Sequence, residues 1–86
     1  MNKIESPADL MLRAERTVDL EEAKEIMESL KMQRDVTHYM ATIHEDLKKD
    51  PRMIRELKEE VEAMDYTLLL LKEKIEIWEF REIYQS

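Results

Sequence analysis

Two groups of acidic residues have a spacing that could hold a divalent cation. Glu21, Glu22 and Glu25 fall within about one helical turn, and Glu62 and Asp65 are three residues apart. Mg²⁺ prefers hard carboxylate oxygens and bridges them to substrate phosphates, so these residues would suit a small all-α Mg-dependent nucleotide hydrolase. Charged residues make up 41% of the chain, however, and such spacings arise easily by chance. We therefore interpret both groups as solvated helix faces.

Other chemical groups are few. His38 and His44 are the only histidines, and Asp35 precedes His38 by three residues, whereas a di-iron bundle needs two Glu-x-x-His pairs. The chain has no Gly and no Cys, which excludes glycine-rich phosphate loops and thiolate metal sites. We expect no catalytic residue, no cofactor and no metal, and hence a protein that is not an enzyme.

Basic residues are concentrated in one short segment. Residues 48–58, here called the basic tip, contain five basic and two acidic residues, a net charge of +3 in a protein of net charge −7. Basic residues at the start of a helix oppose the helix dipole, and such a local inconsistency indicates binding. We predict that this segment contacts a partner, either an acidic protein surface or the acidic 21–28 stretch of a neighbouring subunit. The predicted partner-binding residues are Lys48, Lys49, Arg52, Arg55 and Lys58.

The acidic balance of the chain argues against nucleic acid as that partner, because phosphate binding depends on Lys and Arg. It leaves open a second interpretation, an inhibitor of a DNA-binding protein that mimics nucleic acid. The carboxylates that would stand in for phosphates are Glu21, Glu22, Glu25, Glu28, Glu45 and Asp46.

Capping signals divide the 86 residues into three helices. Ser6 before Pro7 predicts a helix over 7–16, and Asp19 predicts the start of a helix over 20–49. Asp50 before Pro51 ends that helix and begins a third, over 51–84. The short link between the two long helices predicts an antiparallel hairpin. We treat residues 1–86 as a single helical domain.

The third helix carries two apolar rows. The first, called the heptad row, follows alternating steps of three and four residues and predicts packing against the second helix or a parallel partner. It consists of Ile54, Leu57, Val61, Met64, Leu68, Leu71, Ile75 and Trp78. The second row lies about 180° around the helix at ~100° per residue, and a lone hairpin cannot cover both rows. We assign this second row to an oligomer interface, and it consists of Tyr66, Leu70, Ile77, Phe80 and Tyr84.

The second helix has apolar residues on two different faces. Leu20, Ala23, Met27 and Leu30 share one face, while Val36, Met40, Ile43 and Leu47, with Tyr39, lie roughly 140° away. We predict that the buried face changes sides near residues 31–35, where the helix is either broken or meets different neighbours.

These patterns predict an all-α fold, in which a short N-terminal helix precedes a long antiparallel hairpin. We expect a homo-oligomer, a dimer or higher, with coiled-coil-like packing and a noncatalytic role in protein–protein interaction or regulation. The chain lacks the ~18 consecutive apolar residues of a membrane span and has no secretory signal, so we expect no membrane contact and a cytoplasmic location.

Overall fold

The computed structural model describes residues 5–85, with side chains over 5–84. It contains three helices: α1 (Pro7–Arg16), α2 (Leu20–Asp46) and α3 (Pro51–Gln85). Helices account for 89% of the described residues and no strand occurs among them, which confirms the predicted all-α class. None of these helices is both long enough and apolar enough to cross a membrane.

The helix starts follow the predicted capping residues. The Ser6 hydroxyl accepts a hydrogen bond from the Asp9 amide at 3.2 Å, and Pro7 occupies the first turn of α1. The Asp19 carboxylate accepts from the Glu21 amide at 3.0 Å at the start of α2. Each cap satisfies an amide that has no acceptor within its own helix, so these short polar side chains define where the helices begin.

The end of α2 differs from the prediction, because the helix stops at Asp46 and not at Lys49. The Lys48 amide donates to the Glu45 carbonyl at 3.1 Å, and the Lys49 amide donates to the His44 carbonyl at 2.9 Å. This pair of bonds forms a Schellman motif, in which the first residue after the helix cap adopts a left-handed backbone conformation. Lys48 takes that conformation with φ of 53°, a position that glycine usually fills. The chain contains no glycine, so a lysine occupies this position although a residue with a side chain is disfavoured at positive φ.

Two ion pairs define how α2 and α3 align. Arg34 contacts Asp65 at 2.8 Å, and eleven residues further along α2, Glu45 contacts Lys58 at 2.9 Å. Higher numbers on α2 meet lower numbers on α3, so the two helices form an antiparallel hairpin. The protein is elongated, with extents of 55 × 29 × 16 Å.

The short helix α1 covers only one half of this hairpin. The side chain of Gln33 donates to the Glu5 carbonyl just before α1, and Lys74 donates to the Ala14 carbonyl near its end. We call residues 5–33 and 64–85 the base half. The whole hydrophobic core cluster lies in this half, and its members are Leu10, Ala14, Ala23, Ile26, Leu30, Met64, Leu71 and Ile75.

The remaining residues, 34–63, form a tip half that consists of two helices alone. Its buried residues are Thr37, Ala41 and Val61, two of which are polar or small. Burial along α2 stays on one face throughout, since Ala23, Leu30 and Thr37 recur at intervals of seven residues. The prediction that the buried face changes sides near 31–35 is therefore wrong. α2 is continuous there, and two small residues, Thr37 and Ala41, are its buried residues in the tip half. A search for faces of large apolar residues overlooks them.

Candidate functional site

The basic tip is exposed throughout. Lys48 and Lys49 lie in the turn between α2 and α3, and Arg52, Arg55 and Lys58 lie on the first turns of α3, with all five side chains accessible to solvent. The Asp50 carboxylate accepts from the Arg52 amide at 3.0 Å and caps the start of α3. The capping carboxylate places two arginines close to the turn, so the local fold concentrates positive charge at one end of the molecule.

Two of the five basic side chains have ion-pair partners within the chain. Arg52 contacts Glu56 at 3.6 Å, and Lys58 contacts Glu45 at 2.9 Å. Among the described residues, Lys48, Lys49 and Arg55 make no ion pair. These three cations are the part of the basic tip that is available to an anionic partner.

The second row of α3 lies on the surface, on the side away from the core. Tyr66, Ile77, Phe80 and Tyr84 are each more than half exposed, whereas Leu70 is half-buried within the chain. The rings of Phe80 and Tyr84 lie 4.4 Å apart between centroids and form one aromatic patch. The accessible side chains of the row therefore lie at its two ends, with Tyr66 at one end and Ile77, Phe80 and Tyr84 at the other.

A second apolar surface lies on the tip half. Val36, Met40 and Ile43 of α2, and Leu47 just after its end, follow steps of four, three and four residues. They are exposed by 55%, 45%, 36% and 63%. We call these four residues the α2 stripe. The sequence pattern grouped them on one face and predicted that this face becomes the buried face of the helix beyond residues 31–35. In the structure, Thr37 and Ala41 take that place and the stripe faces solvent.

The two acidic groups that could have formed a magnesium site are not brought together. Asp65 lies beside Arg34, near the middle of α2, while Glu21 and Glu22 lie in the first turn of that helix. No cluster of three or more metal-ligating side chains exists among residues 5–84. The hydrogen bond from Arg34 to Asp65 raises the pKa of the arginine above its ordinary value, so this carboxylate is already engaged by a permanent cation.

The two histidines do not form a site either. His38 is exposed, and its backbone carbonyl accepts a hydrogen bond from the Thr42 hydroxyl at 3.0 Å. His44 is half-buried, and its Nδ1 atom has no hydrogen-bond partner within the described part of the chain. The carboxylates of the nucleic-acid-mimic interpretation are also dispersed, because Glu21 and Asp46 lie at opposite ends of α2.

The total surface of the chain is large for its mass. The accessible area is 6837 Å², whereas a compact monomer of 10.4 kDa has about 5,400 Å². Exposed large apolar side chains occur in both the second row and the α2 stripe, and contiguous apolar patches mark interaction surfaces in proteins generally. Comparison with protein families, curated proteins and solved structures finds no match to this chain.

Proposed function

We propose that this protein is a noncatalytic interaction module that assembles with copies of itself and docks a partner through the basic tip. One observation carries the proposal: among the described residues, fifteen large apolar side chains are exposed, while the buried apolar core has ten members, three of them alanine. A chain with more large apolar side chains exposed than buried is suited to burying its surface against another protein.

The second row of α3 supplies the proposed oligomer interface, with Tyr66, Leu70, Ile77, Phe80 and Tyr84 as its contact residues. Burial of a large apolar side chain stabilises a contact by about 1.5–3 kcal/mol. Several such side chains on each copy suffice for association at micromolar concentration once the entropy of association is subtracted. Pairing of two helices through this row would extend the hairpin into a helical bundle with coiled-coil-like packing.

The basic tip supplies the proposed docking surface for a different protein. Lys48, Lys49 and Arg55 make no ion pair with another described residue, and they lie in the turn and at the start of α3, at one end of a molecule 55 Å long. An acidic surface of a partner protein fits this charge. Exposed charges of this type accelerate association and make it sensitive to salt.

Sedimentation equilibrium tests the oligomer interface. Wild-type protein is expected to be at least dimeric at micromolar concentration, and Phe80→Glu is expected to shift the mass toward the monomer while the helical circular dichroism persists. Lys72→Glu is the matched control, because Lys72 is exposed on α3 outside the second row. A monomeric wild type at all concentrations would refute self-assembly.

Comparative capture tests the docking surface. Wild-type protein and the Lys49→Glu, Arg55→Glu double variant are used to capture proteins from the native host, and the captured proteins are identified by mass spectrometry. We expect a partner that binds wild type and is lost with the double variant. A specific partner that binds both proteins equally would exclude the tip as its docking site.

A further inference from the structure

We propose that the groove in which α1 lies continues into the tip half and there binds an amphipathic helix of a partner protein. That helix has apolar residues at steps of three and four along one face and Lys or Arg beside them. This inference goes beyond the proposed function, because the site is neither the second row of α3 nor the basic tip. Two observations carry it, the change in exposure along the groove and the charge of its rims.

α1 lies in a groove between α2 and α3, and two lines of residues form the walls of that groove. Gln33 on α2 donates to the Glu5 carbonyl at one end of α1, and Lys74 on α3 donates to the Ala14 carbonyl near the other end. Residues seven apart share one face of a packed helix, so each wall can be followed beyond α1. The α2 wall is Ile26, Gln33, Met40 and Leu47, and the α3 wall is Lys74, Thr67, Glu60 and Met53.

Both walls are buried beside α1 and exposed beyond it. Ile26 is 1% exposed, whereas Met40 and Leu47 further along the same wall are 45% and 63% exposed. On α3, Thr67 is 7% exposed and Met53, two heptads away on the same wall, is 46% exposed. In the tip half, no helix among the described residues takes the place of α1. The same groove is therefore filled in the base half and open in the tip half.

The open part of the groove has a length and composition that suit a helix. It extends from Gln33 to Leu47, about 21 Å at ~1.5 Å per residue, which is close to four helical turns. In the register set by the two ion pairs between α2 and α3, Met40 lies level with Glu60 and Leu47 lies level with Met53. A helix placed between the walls would contact three apolar side chains, two of them methionines, which adapt their shape to a bound surface.

The rims of the open groove are acidic. Glu60 lies on the α3 wall, and Asp46 on α2 lies two heptads after Met32, which lines a cleft beside α1. Neither carboxylate makes an ion pair with a described residue. Arg52, at the far end of the groove, already pairs with Glu56. Basic side chains beside the apolar face of a bound helix would therefore find unpaired carboxylates on both rims.

A second copy of this chain does not offer a helix of this charge. Its exposed second row is bordered by Glu73, Glu76 and Arg81, a set with net negative charge. Its α2 stripe lies next to Asp35 and Asp46. Either face would bring carboxylates to the acidic rims, and like charges brought together oppose association. A partner helix of opposite charge is the occupant that the groove fits.

Two fluorescently labelled synthetic peptides test the groove. Both have about 14 residues, the length of its open part, with leucines at steps of four, three and four. The positions beside the leucines are lysine in one peptide and glutamate in the other. Binding to the full-length protein is measured by fluorescence anisotropy. We expect the lysine peptide to bind at least about tenfold more tightly than the glutamate peptide.

Two pairs of variants assign the binding to this groove. Met40→Gln removes an apolar contact and is expected to weaken binding of the lysine peptide about tenfold, whereas Thr42→Gln is its matched control. Glu60→Lys reverses a rim charge and is expected to weaken it by about threefold to tenfold, with Glu62→Lys as the control. Thr42 and Glu62 both line the opposite side of the hairpin. Circular dichroism verifies that all four variants keep the wild-type helicity.

Saturable binding of the lysine peptide that Met40→Gln and Glu60→Lys weaken, and that their controls do not, supports the proposal. Equal binding of the two peptides, or equal effects of a variant and its control, would overturn it. So would the absence of saturation by either peptide below about 1 mM. A lower sedimentation mass for Met40→Gln than for wild type would give the groove to a second copy and also overturn it. Phe80→Glu and the tip variants alter other surfaces, so their results decide the proposed function separately.

Discussion

The ammonium of Lys74 on α3 donates a 2.9 Å hydrogen bond to the backbone carbonyl of Ala14 on α1. The same group contacts the carbonyls of Glu15 at 3.0 Å and Thr17 at 3.5 Å. Carbonyls in the last turn of a helix have no amide partner within that helix, and they attract positive charge. One side chain therefore caps the end of α1 and fastens it to a helix about sixty residues away in sequence.

Lys74→Met should loosen this attachment. The substitution keeps most of the apolar stem and removes the donor, so we expect the free energy of unfolding in urea to fall by about 1–2 kcal/mol. Lys72→Met is the control, because Lys72 is exposed and contacts none of these carbonyls. An equal loss in both variants would mean that the Lys74 hydrogen bonds add nothing specific.

Lys48→Gly should stabilise the protein. Lys48 holds φ of 53° in the turn after α2, and a side chain in this region is disfavoured relative to glycine. We expect the free energy of unfolding to rise by about 1 kcal/mol, measured by urea titration at concentrations where the variant and wild type have the same mass. Lys49→Gly should give no such gain, since Lys49 does not have positive φ. A loss of stability with Lys48→Gly would contradict the strain at this turn.

Leu71→Ala should be among the most damaging truncations on α3. Leu71 is fully buried in the base half, so its replacement leaves a cavity and should cost about 2–5 kcal/mol of unfolding free energy. Leu69→Ala is the matched control, because Leu69 is 55% exposed on the same helix. Thermal unfolding should show a large shift for the first variant and a small one for the second. Similar shifts would refute the division of the helix into buried and exposed faces.

The charge of the basic tip should be visible in the salt dependence of partner binding. For a partner found by capture, we expect affinity to fall as salt rises from about 0.05 to 0.5 M, because exposed charges are screened over a Debye length of about 10 Å at 0.1 M. The Lys49→Glu, Arg55→Glu variant should bind more weakly and depend less on salt. We avoid Arg52 here because it already pairs with Glu56. An affinity independent of salt would assign the partner to an apolar surface.

The helix starts and the core face of α3 could be predicted from sequence because both depend on local signals. Ser6, Asp19 and Asp50 cap helices through bonds to amides two or three residues away. The heptad row is regular enough to identify the face of α3 that packs inside, and none of its members is fully exposed. A strict heptad period and a short polar capping residue can both be identified in the sequence without information on tertiary contacts.

The end of α2 and its buried face could not be predicted from the pattern of apolar residues and capping signals. The helix stops at Asp46 because Lys48 adopts a left-handed conformation for which its residue type gives no signal. Thr37 and Ala41 pack against α3 because they continue the register of Leu30, although Val36 and Met40 are more apolar. Register along a continuous helix outweighs the apolarity of individual residues at this point. The identity of a partner has no local signature at all.

The restriction of α1 to the base half has a consequence for local unfolding. Amide groups near Ile26 lie in a helix that is packed on two sides by α1 and α3, whereas those near Ala41 lie in the same helix with one neighbour. Opening of the tip half exposes little apolar surface, so it requires less free energy than global unfolding. In hydrogen exchange of the isolated chain, α2 should therefore behave as two segments of unequal protection despite its unbroken backbone hydrogen bonds. Anything that covers the tip half would remove this difference and make the helix exchange as one unit.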